Sequence, residues 1–332
     1  MSAPLRVGTR GSALAVAQTT TVAEALTAAT GRPTTIVTVR TEGDVSTRPL
    51  AQLGGTGVFA AALRRALLDG ECDLVVHSLK DLPTAPEPGL VVAAHPARAD
   101  ARDALCARDG RTLAELPPGA RVGTGSPRRV AQLRSRRPDL EVVDVRGNVD
   151  TRLGKVAGGD LDAVLLAAAG LDRLGRSDAA TERFGLDDWP TAPGQGALAV
   201  EVRAGEEDLV AMLDDPATRA AVEAERRVLA LLEAGCSAPV GVHARWVGDE
   251  LRLDARVYRL DGTAWLSSAA AATLPAGRGT AAPGGDRGPA VTGTAAVAAP
   301  DADRTDAVEA LAAQVAGELL AAGAADLAGV GA

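Results

Sequence analysis

Val58 to His77 reads VFAAALRRALLDGECDLVVH. Apolar residues recur at helical spacing over Val58–Asp69 and Gly70 stops them, which predicts a helix with one apolar face. Asp73–His77 is a short apolar run, as expected of a strand buried on both faces. Upstream, Leu5–Thr9 reads as a strand. Ser12 is placed to cap a helix running to about Thr30, with Gly31 and Pro33 as stop signals. Thr34–Arg40 is β-branched and strand-like, and Gly43–Gly57, with four glycines and a proline, reads as a loop. Downstream, Leu90–Ala94 is another strand. Strand and helix alternate, so the fold class is α/β, with a mainly parallel sheet covered on both faces.

The alternation restarts after Arg98. Ala104–Ala107, Arg121–Gly123, Glu141–Val145 and Asp162–Ala167 read as strands. Ser126 and Pro127 open a helix with a hydroxyl cap and a first-turn proline, and Val149–Val156 is a second helix. Thr191–Gly196 looks like a crossing linker that returns Leu198–Val202 to the first sheet. From Thr218 the character changes. A helix runs to Glu233, and Val240–Trp246, Leu251–Leu260 and Thr263–Ser268 suggest an antiparallel sheet with a turn at Asp261-Gly262. Residues 275–300 are rich in Ala, Gly and Pro and read as a flexible insertion. Asp303–Leu327 reads as a helical pair.

Composition narrows the function. The 332 residues allow two or three domains. Net charge is −8 and aromatic residues are 2%, which argues against a nucleic-acid partner, since neither phosphate neutralisation nor base stacking is provided for. No apolar run is long enough for a membrane span and no export signal is seen. Three cysteines are too few for a disulfide scaffold, so the expected location is the cytoplasm. The three histidines, 77, 95 and 243, show no metal-ligand spacing, so no metal is expected.

Arginines concentrate between Arg121 and Arg152, eight of them against four acids, a local balance of +4. Arg128 and Arg129 lie just inside a helix start, Arg146 follows a strand, and Arg152 is near. Helix starts and strand ends of this kind bind anions, and the guanidinium fork fits carboxylate or phosphate. A solvated helix face is the alternative, and it is the reading for Arg134, Arg136 and Arg137. Lys80 is one of only two lysines, with Lys155. Lys80 and Asp81 emerge at the end of a buried strand, as an anion clamp with a proton-handling carboxylate or as a surface ion pair. Cys72 and Cys106 read as packing cysteines. Cys236 sits on a glycine-flanked turn, either structural or presenting a thiolate.

Nine segments stand in chain order: GTRGSALA (8–15), GD (43–44), GGTGVF (54–59), DLVVHSLKDLP (73–83), VGTGSPRR (122–129), RGNVDTR (146–152), AGLDR (169–173), PGQGA (193–197) and the Cys236 turn. Together they resemble the hydroxymethylbilane synthase (porphobilinogen deaminase) family over nearly the whole chain. The resemblance implies two periplasmic-binding-protein-like α/β domains around a cleft, residues 1–97 with 197–215 and residues 98–196. A small α+β third domain, residues 216–332, would carry the cysteine. It further implies a monomer and a dipyrromethane cofactor held through a thioether on Cys236. Four porphobilinogen units would be condensed onto that cofactor head to tail with loss of ammonia, and hydroxymethylbilane released. Lys80, Asp81, Ser126, Arg128 and Arg129 would hold the cofactor. Arg10, Ser12, Arg146, Arg152 and Arg173 would bind substrate, with Gln195 at the hinge, and Asp81 would be catalytic. The bottom-up chemistry agrees, because cofactor plus four units carry about a dozen carboxylates and each charge-assisted bond contributes roughly 1.5–3 kcal/mol.

Some positions depart from the family pattern. Glu42 stands where arginine is frequent and Thr56 where lysine is common, Ala61-Ala62 replace Lys-Glu, and Gly125 and Pro127 vary the serine-arginine motif. The competing readings are a non-enzymatic protein that binds a carboxylate or phosphate ligand, and an inactive paralogue.

Overall fold

The computed structural model describes residues 3–39, 57–235, 238–274 and 302–328. Glu42, the loop segments 43–44 and 54–56, Cys236 and the 275–300 stretch lie outside them. The first sheet contains β1 (Leu5–Arg10), β2 (Thr34–Val39), β3 (Leu74–Ser78), β4 (Leu90–Ala94) and a late strand, Leu198–Arg203. Its order places β1 between β2 and β3, and the late strand between β3 and β4. The first three run parallel, whereas the late strand is antiparallel to both its neighbours. Helices cover both faces: α1 (Ala13–Thr30) packs on a core that includes Leu26, Leu74 and Val76, and α2 (Gly57–Leu68) on one that includes Leu63, Leu67 and Val75. Alternate side chains of β3 therefore feed opposite cores, as the period of two requires. The Ser12 side chain caps α1 by accepting from Ala15 N at 3.3 Å, and Gly31 ends it at φ +66°, the cap and stop that the sequence predicts.

The second sheet repeats the plan. It holds β5 (Asp103–Ala107), β6 (Arg121–Gly123), β7 (Glu141–Val143), β8 (Ala163–Ala167) and the two-residue β9 (Glu182–Arg183). β6 lies parallel to β7 and β8, and β5 is antiparallel to β8 and β9. Each sheet is thus mixed, and the odd strand in each is the one next to a chain crossing: β5 follows the outward passage and β10 (Leu198–Arg203) the return. The helices here are α3 (Pro127–Arg136), α4 (Val149–Ala157) and α5 (Ala168–Arg173). Ser126 occupies the N-cap position of α3, but its side chain makes no capping bond there. The expected hydroxyl cap is absent, and Pro127 alone supplies the start signal. The strand predicted to Val145 ends at Val143, because Val145 turns into the core beside Gly123.

The third region is an antiparallel sheet of β11 (Val240–Val247), β12 (Glu250–Tyr258) and β13 (Trp265–Thr273), packed on α6 (Pro216–Leu231), α7 (Ala302–Ala321) and α8 (Ala324–Ala328). α6 begins earlier than the sequence suggests because Asp215 caps it, accepting from Thr218 N at 2.7 Å. No helix among the described residues is long and apolar enough to cross a membrane.

Candidate functional site

β3 ends in a single 3-10 turn, Leu79–Asp81. Leu79 is buried beneath it, and Lys80 and Asp81 are half-buried. Arg226 of α6 holds this turn from below by donating to the carbonyls of Leu82 at 2.9 Å and Pro83 at 2.6 Å. Asp81 shares a small pocket at the end of β3 with Arg10, Gln18, His77 and Ser78. His77 Nε2 bonds Glu201 at 3.0 Å, and Arg64 of α2 bonds the same carboxylate, so α2 is fixed to the wall behind Asp81.

Lys80 Nζ reaches Gln195 Oε1 at 3.3 Å. Gln195 sits on the returning crossing between Gly194 (φ +75°) and Gly196 (φ +86°), where a Cβ on Gly196 would stand 2.6 Å from Ala99 O. The two passages touch there, and only glycine allows both the backbone angle and the approach. The Gly194-Gln-Gly196 motif, weak as a sequence signal, thus gains a steric reason. Gln195 Nε2 donates to Asp103 Oδ1 at 2.8 Å and to Ala101 O at 2.8 Å.

Asp103, fully buried at the head of β5, gathers the arginines. It accepts from Arg128 Nη1 at 2.8 Å and Arg129 Nη2 at 2.6 Å. Burial alone would raise its carboxyl pKa, but the two guanidiniums hold it far below the usual range. Arg128 and Arg129, expected on the cleft, are themselves buried, at 3% and 6% exposed. Their Nε atoms are buried without a hydrogen-bond partner. Beside them Lys80 is pushed down to about 8, by burial first and then by repulsion from Arg129. Arg152 falls to about 10 through burial, Arg129 and Arg146. This is an assembly of cations that repel one another, so an anion placed among them would relieve the repulsion.

The remaining predicted residues are more scattered. Arg173 donates to Gly196 O at 2.8 Å, and burial lowers its pKa. Arg152 donates to Gly147 O at 2.9 Å. Arg146 is exposed, 3.4 Å from Asp144. Ser12 serves its helix cap, and Ser126 N donates to Thr124 Oγ1 at 3.2 Å. Arg134, Arg136 and Arg137, read as a solvated face, are structural tethers: each donates to a backbone carbonyl, and Arg136 lies over Trp189 at 5.3 Å. Cys72 and Cys106 are buried, which pushes both thiols up to about 11, as packing cysteines require. Among the described residues no group of His, Cys, Asp and Glu could hold a metal ion.

Sequence reasoning missed Asp103, Glu225 and Arg226. Glu225 on α6 is fully buried, accepts from Arg98 at 2.6 and 3.0 Å, and takes the backbone N–H of Gly194 and Ala244. It thereby joins both crossings to the third region. Glu225 stands among Glu223, Arg226 and Arg227, so nothing in the local sequence marks it as the buried one of these charges.

The family described as "Porphobilinogen deaminase, dipyromethane cofactor binding domain" matches residues 5–211, and "Porphobilinogen deaminase, C-terminal domain" matches residues 219–274. The chain is 64% identical to the porphobilinogen deaminase of Leifsonia xyli subsp. xyli over 276 residues, 81% of this chain and 84% of that one. It is 58% identical to that of Thermobifida fusca over 265 residues, 78% and 83% of the two chains. The Micrococcus luteus enzyme is 55% identical over 300 residues, 78% of this chain and 79% of that one. Among solved structures, immunogenic lipoprotein A from Vibrio vulnificus aligns with a TM-score of 0.40 at 10% identity, covering 63% of this chain and 94% of that one.

Proposed function

The chain belongs to the porphobilinogen deaminase family, and from that premise we propose how its own residues serve the reaction. The enzyme is a transferase that condenses four porphobilinogen molecules head to tail with loss of ammonia, on a covalent dipyrromethane cofactor, and releases hydroxymethylbilane. When bound, the cofactor supplies the primer pyrrole to which incoming units are joined. The observation that carries the residue assignment is the cation assembly around Gln195. Arg128 and Arg129 each keep a buried Nε–H with no acceptor, beside Lys80 and Arg152, whose charges burial and mutual repulsion disfavour. A ligand bearing several carboxylates fits such a set.

In this reading Lys80, Ser126, Arg128 and Arg129 hold cofactor carboxylates, and Cys236 forms the thioether. Arg10, Ser12, Arg146, Arg152 and Arg173 bind the carboxylates of substrate and growing chain, with Gln195 linking the crossings. Asp81 is the catalytic carboxylate. Its carboxylate would offset positive charge that develops as ammonia departs and could take up the proton released on ring coupling. The three domains divide at 1–97 with 197–215, 98–196 and 216–332. The enzyme acts as a cytoplasmic monomer without a nucleic-acid or membrane partner, which light scattering on the purified protein checks for the monomer.

The direct test is the intact mass of the denatured protein beside a Cys236→Ser variant. The expected result is native chain heavier by two linked pyrrole units and variant at bare chain mass. Equal excess mass on both would move the attachment away from Cys236.

A further inference from the structure

A carboxylate offers about four lone-pair sites, and in Asp103 all are taken. Oδ1 accepts from Arg129 Nη2 at 2.6 Å and Gln195 Nε2 at 2.8 Å, and Oδ2 from Arg128 Nη1 at 2.8 Å and Trp189 Nε1 at 2.8 Å. The donors come from α3, from the segment before the return crossing and from the crossing itself. Asp103 is 0% exposed and saturated, so no ligand can reach it. It is neither a catalytic group nor a contact. The Nη nitrogens it engages are used further by the protein: Arg128 Nη1 also donates to Gln132 Oε1 at 2.6 Å, and Arg129 Nη1 donates to Leu165 O at 3.0 Å. What these bonds leave over is the Nε–H of each arginine and the Nη2 of Arg128.

We infer that Asp103 is a positioning residue for the ligand-carboxylate site: it fixes which edge of Arg128 and Arg129 remains available and holds their combined charge at one unit of excess. This rests on the reading that those arginines bind substrate or cofactor carboxylates. A buried pair of guanidiniums with no counter-charge would splay apart and would also depress any ammonium nearby. Lys80 is that ammonium. It faces Asp81 on its own turn, Arg128 and Arg129 from α3, Asp103 from β5 and Gln195 from the crossing. Of these charges only Asp81 and Asp103 support it.

The test is steady-state kinetics on holoenzymes across pH, with porphobilinogen as substrate, for Asp103→Asn, Asp103→Glu and Arg129→Gln. Asp103→Asn is expected to raise KM about tenfold, as loss of one oriented charge-assisted bond does. It is also expected to move the alkaline limb of the pH profile to lower pH. Asp103→Glu keeps the charge but displaces it, so KM rises while the alkaline limb stays. A folded Asp103→Asn enzyme with wild-type KM overturns the inference, as does a fall in kcat alone, or an alkaline limb that moves equally in both variants. Should Asp103→Asn fail to fold, Asp103→Glu decides: raised KM with an unmoved limb supports the assignment, and wild-type KM overturns it. Arg129→Gln separates the two levels. If it raises KM while the Asp103 variants do not, only the role of Asp103 fails; if its KM is also unchanged, the arginine assignment itself fails.

Discussion

Asp81 and Lys80 are neighbours in sequence with opposite demands. Replacing Asp81 by Asn keeps shape and removes the charge, so turnover should fall by about 10²–10⁴-fold, while the denatured mass still shows the cofactor. Near-normal turnover would remove Asp81 from the chemistry. Lys80 sits at about 8, so it is an ammonium below that pH and a neutral amine above it. Its hold on a carboxylate is therefore lost as pH rises through about 8. Arginine stays charged throughout, so Lys80→Arg should shift the alkaline limb of kcat/KM upward; a limb that stays in place would assign it to another group. At this scale the cations at strand and helix ends are plain in the sequence. It hides their supports. Asp103 opens an apolar strand, and nothing near it in sequence names Arg128, Arg129, Trp189 and Gln195 as its donors, since the nearest of these is 25 residues away.

Helices and strands were legible wherever pattern and punctuation agreed, as in α1 between Ser12 and Gly31. The short pieces were not. The Leu79–Asp81 turn and the two-residue β9 carry no period of their own, and they exist because neighbouring strands and Arg226 hold them. Strand direction was equally hidden: β5 and β10 run antiparallel because of how the chain enters and leaves each sheet, which local propensity does not encode. Helix α6 adds a prediction. Burial would raise the Glu225 carboxyl, but Arg98 and His243 hold it down at about 2. A depressed acid stabilises the fold above its unfolded pKa, and that contribution is lost as pH falls through the folded one. Stability should therefore decline between about 4.5 and about 2. Glu225→Gln should cost about 3–5 kcal/mol at neutral pH and flatten the acid decline. Urea melts at several pH values check both, and an undiminished acid slope would assign it elsewhere.

Across the whole molecule, three regions meet at two crossing strands of chain, and Gln195 and Glu225 each bond residues of more than one region. The family resemblance implies the number of regions and the basic lining, because both are written in motifs. It did not give the junction, because close backbone approach at Gly196 and a shared buried carboxylate are properties of distant segments brought together. The regions also differ in autonomy. Residues 98–196 contain every strand of the second sheet, whereas the first sheet needs β10 between β3 and β4. A fragment of residues 1–97 should stay unfolded by circular dichroism and a fragment of residues 98–196 should fold. Cooperative melting of the first fragment would contradict this.

That interleaving sets an order of events during synthesis. Among the described residues β4 pairs only with β10, so the first sheet waits, incomplete, on the ribosome until residue 203 has emerged. The inserted part, made later, can close first. Strand β4 is therefore made well before its partner β10 and waits for it. A nascent chain stalled before β10 would offer β3 and β4 as open edges, the state in which chaperone binding or aggregation competes with folding.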